Sequence, residues 1–227
     1  MSPLQRRCAT LALLLLLAAG SALAAQPRAF DARYRLEVAG WPSTSVQHRL
    51  SRDGGHWQSD MRASIAVARG HERSRFIADE TIRALHYASS YRLLGIGKNY
   101  ELEGEALARL PDRQSALFDL SRRAVGDDCE ASCRLRYLDH RGREEQIDYR
   151  RLERSMLELP AGRFEAIRVE VTEPDAPERR MVFSFHPDVP GLLLAMEYHR
   201  DDEQRSQLTL THLTLDGTEL ASSPKGK

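Results

Sequence analysis

Cys129 and Cys133 are the two residues whose spacing points most directly to a covalent bond. The chain has 3 cysteines, and the third, Cys8, lies in an N-terminal segment that we expect to be removed on export. Two cysteines four positions apart in an oxidising compartment are expected to form a structural disulfide that closes a local turn. A redox pair more typically has two intervening residues, and a zinc site needs further ligands that no adjoining Cys or His supplies. The disulfide is the favoured interpretation, with redox and metal roles as alternatives.

Motifs that would indicate a known type of active site are absent from the sequence. Gly95-Ile96-Gly97-Lys98 resembles part of a phosphate-binding loop, but that loop needs a glycine and a hydroxyl residue where Arg92 and Asn99 stand. These glycines are more typical of a turn or bulge within β-structure. No Gly-x-Ser-x-Gly sequence occurs, so the signature of the common secreted serine hydrolases is missing.

Histidines and carboxylates are scattered along the sequence rather than grouped. No two of the 8 histidines are three or four positions apart, the spacing that brings ligands together on a helix. The paired carboxylates Glu144-Glu145 and Asp201-Asp202 lie in charged, turn-like stretches, where solvated side chains are expected. A glycosidase would need two carboxyl groups facing each other across about 5 to 9 Å. The sequence therefore predicts no catalytic residue, no metal site and no cofactor.

A set of aromatic side chains has the most bearing on function. Their positions in alternating segments predict that they share one face of a sheet: Phe30, Tyr34, Trp57, Phe76, Tyr91, Phe183 and Tyr198. Such a face is either a filled core or the lining of an apolar ligand pocket. Tyr34, Trp57, Phe76 and Tyr91 are the candidate ligand-binding residues.

Strict alternation of apolar and polar residues predicts the strands that carry these side chains. Every second residue from Phe30 to Val38 is apolar, and Asp53-Gly54-Gly55 suits a tight hairpin. The chain contains about ten such strands in all and no strand–helix repeat, which indicates antiparallel pairing. The predicted fold class is mainly β: a single curled antiparallel sheet or open barrel of about ten strands, with one helix packed against it.

That helix is expected from Asp112 to Val125, where the apolar residues change to helical spacing. Asp112 can cap its amino end and Gly126 can end it. We expect Leu117 and Leu120 to pack on the sheet.

The ends of the chain differ in composition from the rest. Residues 1–24 combine Arg6 and Arg7, an apolar run from Cys8 to Ala19, and Ala22-Leu23-Ala24, the pattern of a cleavable signal peptide. The sequence predicts export to the periplasm, a single β-rich domain over 25–220, a frayed tail over 221–227, and no transmembrane segment in the mature chain.

The charge balance excludes nucleic acid as a partner and argues against anionic lipid headgroups. The chain has 33 Lys+Arg and 33 Asp+Glu, so it lacks the basic surplus that nucleic-acid binding requires. Loss of Arg6 and Arg7 would leave a small acidic excess, which gives no reason to expect attraction to anionic lipid headgroups.

The order of these features resembles the bacterial exported family known as domain of unknown function 3108. The similarity is carried by Gln114-Ser115-Ala116-Leu117-Phe118-Asp119-Leu120 at a helix start and by Leu159-Pro160-Ala161-Gly162-Arg163-Phe164 at a strand entry. The similarity also includes Pro190, the charged hairpin from Arg200 to Arg205, and Leu208-Thr209-Leu210. The resemblance implies a secreted β-rich domain and carries no catalytic residue.

Three functional hypotheses follow from these observations. The first is a non-enzymatic periplasmic binding or accessory protein, with an apolar groove between helix and sheet for a lipid or other envelope component. The second is an envelope hydrolase acting on glycan or ester substrates, which requires convergent carboxylates or a Ser–His pair in a cleft. The third is a structural or partner-binding module.

Overall fold

A computed structural model describes residues 26–65, 68–126, 129 and 132–219. The predicted signal peptide, residues 1–24, and the predicted tail, residues 221–227, lie outside the described residues. No helix in the described part of the chain is long and apolar enough to cross a membrane.

The described residues form thirteen strands of five residues or more and a fourteenth of two residues, compared with about ten expected from the alternation. They are β1 (Phe30–Val38), β2 (Thr44–Asp53), β3 (His56–Ile65), β4 (Ala68–Ala78), β5 (Ile82–Leu93), β6 (Ile96–Glu103), β7 (Cys133–Leu138), β8 (Glu144–Arg151), β9 (Ser155–Leu159), β10 (Gly162–Glu173), β11 (Ala176–Phe185), β12 (Leu193–Arg200), β13 (Glu203–Leu215) and β14 (Thr218–Glu219).

All of these strands belong to one antiparallel sheet, as predicted. Its order is β6-β5-β4-β3-β2-β1-β13-β12-β11-β10-β8-β7, with β9 paired to β10 and β14 to β13. Among the described residues β6 and β7 are the two ends of this order, so the curled sheet does not close by hydrogen bonds. The hairpin between β7 and β8 spans part of the gap, because the His140 ring packs against Tyr100 of β6 at 5.0 Å between centroids.

The predicted helix is present as α1 (Arg113–Val125), preceded by a short 3-10 helix (Gly104–Leu107). The Asp112 side chain accepts hydrogen bonds from the backbone N–H groups of Gln114 and Ser115, which caps the helix as expected. The Leu138 N–H also donates to the Pro111 carbonyl at 2.8 Å. These bonds fix the start of α1 against the edge strand β7.

The core lies between α1 and the concave face of the sheet, which we call the inner face. Leu120 and Phe118 are buried there, and the Phe118 ring lies 5.0 Å from that of Phe76. Gly191 has φ +83°, and a Cβ added to it would stand 2.6 Å from the Phe118 ring. Only glycine therefore fits beneath this face of the helix. Leu117 is half-buried against the same core.

Cys129 and Cys133 are joined in a disulfide, as predicted, with 5.8 Å between their Cα atoms. That separation lies within the range a disulfide needs. The bond connects the segment that follows α1 to the first residue of β7. The intervening residues 130–131, and 127–128 before them, lie outside the described residues.

Candidate functional site

A groove of about 910 Å³ runs between α1 and the inner faces of β7, β8, β10 and β11. We call it the helix groove. Its floor is apolar because alternate residues of each strand point toward the helix. The main floor residues are Leu117, Tyr137, Ile147, Val171, Met181 and Phe183. Leu117, Met181 and Phe183 are only partly buried, so apolar surface is available to a ligand.

Carboxylates dominate the rim of the helix groove. Five acidic side chains and two arginines line it: Asp139, Glu144, Glu145, Glu173, Asp175, Arg113 and Arg179. Arg179 pairs with Glu173 at 3.3 Å, and Arg143, which is not itself among the lining residues, pairs with Asp139 at 2.6 Å. Burial raises the pKa of Asp139, but hydrogen bonds from Arg143 and from backbone N–H groups outweigh it and hold that pKa below its usual value. Arg136, also outside the lining, pairs with Glu144. The five rim carboxylates therefore exceed the four arginines around them by one charge.

The four aromatic candidates do not gather in this groove. Tyr34 and Phe76 are buried in the core, where burial raises the pKa of the Tyr34 hydroxyl. Trp57 is half-buried and stands opposite Phe76 across the β3–β4 pair. Tyr91 is 40% exposed near the far end of β5. A ligand-binding role for these four residues stays a prediction.

A buried polar cluster links the sheet to the start of α1. His48 Nε2 lies 2.9 Å from Ser59 Oγ, and Ser59 Oγ donates to Gln114 Oε1 at 2.5 Å. Because the single Ser59 proton goes to Gln114, His48 must donate its Nε2–H to Ser59. His48 therefore does not act as a base toward Ser59. The adjoining cavity is about 10 Å³, room for about one water molecule.

Two arrangements that the hydrolase hypothesis could use, the Ser59–His48 pair and the Asp139 carboxyl group, lack the properties that it requires. The Ser59–His48 pair has the wrong proton direction and no space for a substrate. A glycosidase needs one carboxyl group with a raised pKa as the acid, whereas the pKa of Asp139 is lowered.

The burial of His48 predicts how the stability of the protein depends on pH. Burial lowers the pKa of His48 from 6.5 to about 4, despite the opposing influence of Asp60 and Asp31. Between these values the unfolded chain binds a proton that the folded chain does not, so stability falls as the pH drops from 6.5 to 4. Between pH 7.5 and 4.5 we expect a loss of about 2 to 3 kcal/mol from this residue. Urea unfolding should show that His48→Gln loses this part of the pH dependence. His212→Gln, at an exposed histidine, should keep it.

One cluster among the described residues brings three residues of metal-ligand type together, one histidine and two glutamates. The ligand atoms of His86, Glu101 and Glu103 lie within 4.8 Å of one another on the outer face of β5 and β6. His86 Nε2 is already 2.7 Å from Glu101 Oε1. Both carboxylates are exposed, and structural zinc takes four protein ligands, so we assign no metal here.

Sequence comparison gives no family. No family model matches the chain, and no curated protein matches it. Membership of the domain of unknown function 3108 family therefore stays an expectation.

Solved structures show the fold. A β-barrel-like protein of domain of unknown function 1849 from Brucella abortus is 9% identical, with TM-score 0.55 over 85% of this chain and 99% of that one. A chain in the Pseudomonas aeruginosa MucA/MucB complex is 13% identical, with TM-score 0.41 over 89% of this chain and 55% of that one, so this chain spans about half of its length. An exported protein with YmcC-like fold from Bacteroides fragilis is 13% identical, with TM-score 0.37 over 83% of this chain and 96% of that one. Of these three, the first likeness exceeds a TM-score of 0.5, and it establishes a shared curled β-architecture.

Proposed function

We propose that the protein is a non-enzymatic binding protein of the cell envelope that holds a basic amphipathic peptide segment in the helix groove. The observation that carries this proposal is an open groove with an apolar floor and an acidic rim. An amphipathic segment matches both properties, because one face is apolar and the other can carry lysine or arginine.

The apolar floor supports a ligand rather than a filled core. Leu117, Met181 and Phe183 pack against the core yet line open space. The volume of about 910 Å³ falls within the range of ligand pockets. Burial of this surface by a partner would supply the main favourable free energy of binding.

The rim selects the charge of the ligand. The rim carboxylates exceed the arginines around them by one charge, and Asp175 has no ion-pair partner among the described residues. This excess favours a cationic group over a phosphate or a carboxylate. An envelope lipid with an anionic headgroup would fit the floor but not the rim. The peptide is therefore preferred over the lipid as occupant.

Two observations support a location in the envelope. The disulfide between Cys129 and Cys133 is typical of proteins from oxidising compartments such as the periplasm. The pattern of residues 1–24 is that of an exported protein.

Fluorescence anisotropy with a labelled leucine–lysine amphipathic peptide tests the proposal. We expect saturable binding that weakens with salt, and little binding of the matched leucine–glutamate peptide. Glu173→Gln combined with Asp175→Asn should weaken binding about 5- to 30-fold, since two partly exposed charge interactions contribute about 1 to 2 kcal/mol together. Asp201→Asn with Asp202→Asn removes the same charge from the β12–β13 turn and should have no effect.

A second variant tests the floor. Leu117→Gln places a polar group on the floor and should weaken peptide binding. It should lower the thermal midpoint less than Leu120→Ala does, because Leu117 is only half-buried. Tighter binding of oleate than of the leucine–lysine peptide would instead identify a lipid site. Absence of binding to both probes would overturn the proposal.

A further inference from the structure

Exposed apolar side chains gather at one end of the sheet, where the β1–β2 and β5–β6 turns lie. We call Trp41, Leu93, Leu94 and Ile96 the apolar lip; they are 61%, 51%, 74% and 77% exposed. Leu93 pairs with Ile96 across the β5–β6 hairpin and with Ala68 of β4 on its other side. Trp41 lies at the same end of the sheet, with the β3–β4 hairpin between it and the three other residues. Large apolar side chains so exposed at one end of a sheet mark an interaction surface.

The backbone conformation at Leu94 also supports an interaction surface at the apolar lip. Leu94 has φ +50° and Gly95 has φ +85°, so both central residues of the β5–β6 turn are left-handed. Such a turn favours Asn, Asp or Gly, and a leucine there is unfavourable for the backbone as well as for solvation. The folded chain alone gains nothing from Leu94, which suggests that the side chain serves an external contact.

Arginines stand directly behind the lip on the outer face of the sheet. Arg69 of β4 and Arg92 of β5 are direct cross-strand partners, an arrangement that costs stability when both are charged. Neither has an ion-pair partner among the described residues, whereas neighbouring Arg62 is held by Asp60 at 2.8 Å. These three arginines border an outer hollow of about 850 Å³ that no carboxylate lines. Arg69 and Arg92 are therefore available to an anionic surface.

We propose that this end of the sheet docks on an anionic lipid bilayer, with the apolar lip in the interfacial region and Arg69 and Arg92 on lipid phosphates. Trp and Leu side chains at hairpin turns suit the bilayer interface. Arg92 directly precedes Leu93, and Arg69 is the cross-strand partner of Arg92, so both arginines would lie at headgroup level. The near-zero charge of the whole chain does not oppose this, because a charged patch acts within a Debye length of about 10 Å. The overall charge balance alone gave no reason to expect such attraction.

Vesicle flotation tests the docking surface. The protein is purified from the periplasm after export, and its mass is checked, because an uncleaved apolar run from Cys8 to Ala19 would itself bind lipid. We expect flotation with phosphatidylglycerol-containing vesicles and much less with pure phosphatidylcholine. Leu94→Asn combined with Ile96→Thr should reduce flotation about tenfold without lowering the thermal midpoint, since Asn suits the left-handed position.

The arginines are tested separately. Arg69→Gln with Arg92→Gln should remove the preference for phosphatidylglycerol, whereas Arg83→Gln with Arg163→Gln, at exposed sites elsewhere, should keep it. Flotation of the lip variant equal to that of the wild type, or no flotation of the wild type, would overturn the proposal. Unchanged preference in the Arg69/Arg92 variant would show that the contact is not with lipid phosphates. Peptide binding in the helix groove is independent of all these outcomes.

Discussion

Leu120→Ala is expected to lower the free energy of unfolding by about 2 to 5 kcal/mol, because it removes a fully buried side chain from the core beneath α1. Leu120 is 2% exposed and lies on the helix face that packs on the sheet. The loss would be a large share of the stability of a domain of this size. Equilibrium urea unfolding measures it.

Leu117→Ala is the matched control for that substitution. Leu117 belongs to the same helix but is only partly buried, so the same change should cost clearly less than at Leu120. If Leu120→Ala lowers the free energy of unfolding by less than about 1 kcal/mol, the helix does not pack on the sheet as described.

Asp112→Ala is expected to lower the free energy of unfolding by about 3 to 5 kcal/mol. The substitution removes the helix cap and leaves several buried donors without an acceptor. Asp112 accepts from two backbone N–H groups and from the hydroxyls of Ser74 and Ser115, at 2.7 and 2.8 Å for the hydroxyls. Alanine leaves the two N–H groups and the Ser74 hydroxyl without this acceptor in a site closed to water, whereas the Ser115 hydroxyl keeps the backbone carbonyl of residue 112 as acceptor at 3.1 Å.

Asp112→Asn separates hydrogen bonding from charge. Burial raises the pKa of Asp112 even against these hydrogen bonds, so the charge itself is not favoured there. The amide oxygen can still accept from the two N–H groups, and the amide nitrogen can donate to the rotated hydroxyls. The Asn variant should therefore lose much less free energy of unfolding than the Ala variant, as measured by thermal or urea unfolding. Equal losses would show that the carboxylate charge, rather than the bonds, stabilises this end of α1.

Much of the fold follows from local sequence, for reasons that the structure makes plain. Alternation from Phe30 to Val38 survives as β1 because one face of the strand is core and the other is solvent. The change to helical spacing after Asp112 locates α1 because the cap bonds are made within a few residues. The disulfide is equally local.

The strand count could not be read from the sequence with the same accuracy. β9 pairs with β10 away from the main path, and its five residues lack a clear apolar period. Near Gly95 and Gly97 the chain forms two full strands, β5 and β6, joined by a tight turn at Leu94. Whether such segments form strands depends on their pairing partners rather than on their local sequence pattern.

The candidate site was harder to predict because its parts are distant along the chain. Glu144 and Glu145 are partly exposed, as expected of solvated residues, and they also share the groove rim with Glu173 and Asp175. The useful signal was the clustering of acids at the ends of adjacent strands, and it becomes visible only with the strand order. For the aromatic face, alternation shows which side chains share it but not which part α1 covers: Phe76 lies under Phe118, while Phe183 borders open space.

Methionine methyl resonances offer the most direct test of peptide binding in the helix groove. The chain has 5 methionines, of which Met181 lies on the groove floor and Met156 is 52% exposed on β9, outside the groove. With methyl-labelled methionine, addition of the leucine–lysine peptide should shift the Met181 resonance and leave that of Met156 in place. A peptide that shifts Met156 but not Met181, or that shifts no methionine resonance at all, would contradict the assignment of the groove as the binding site.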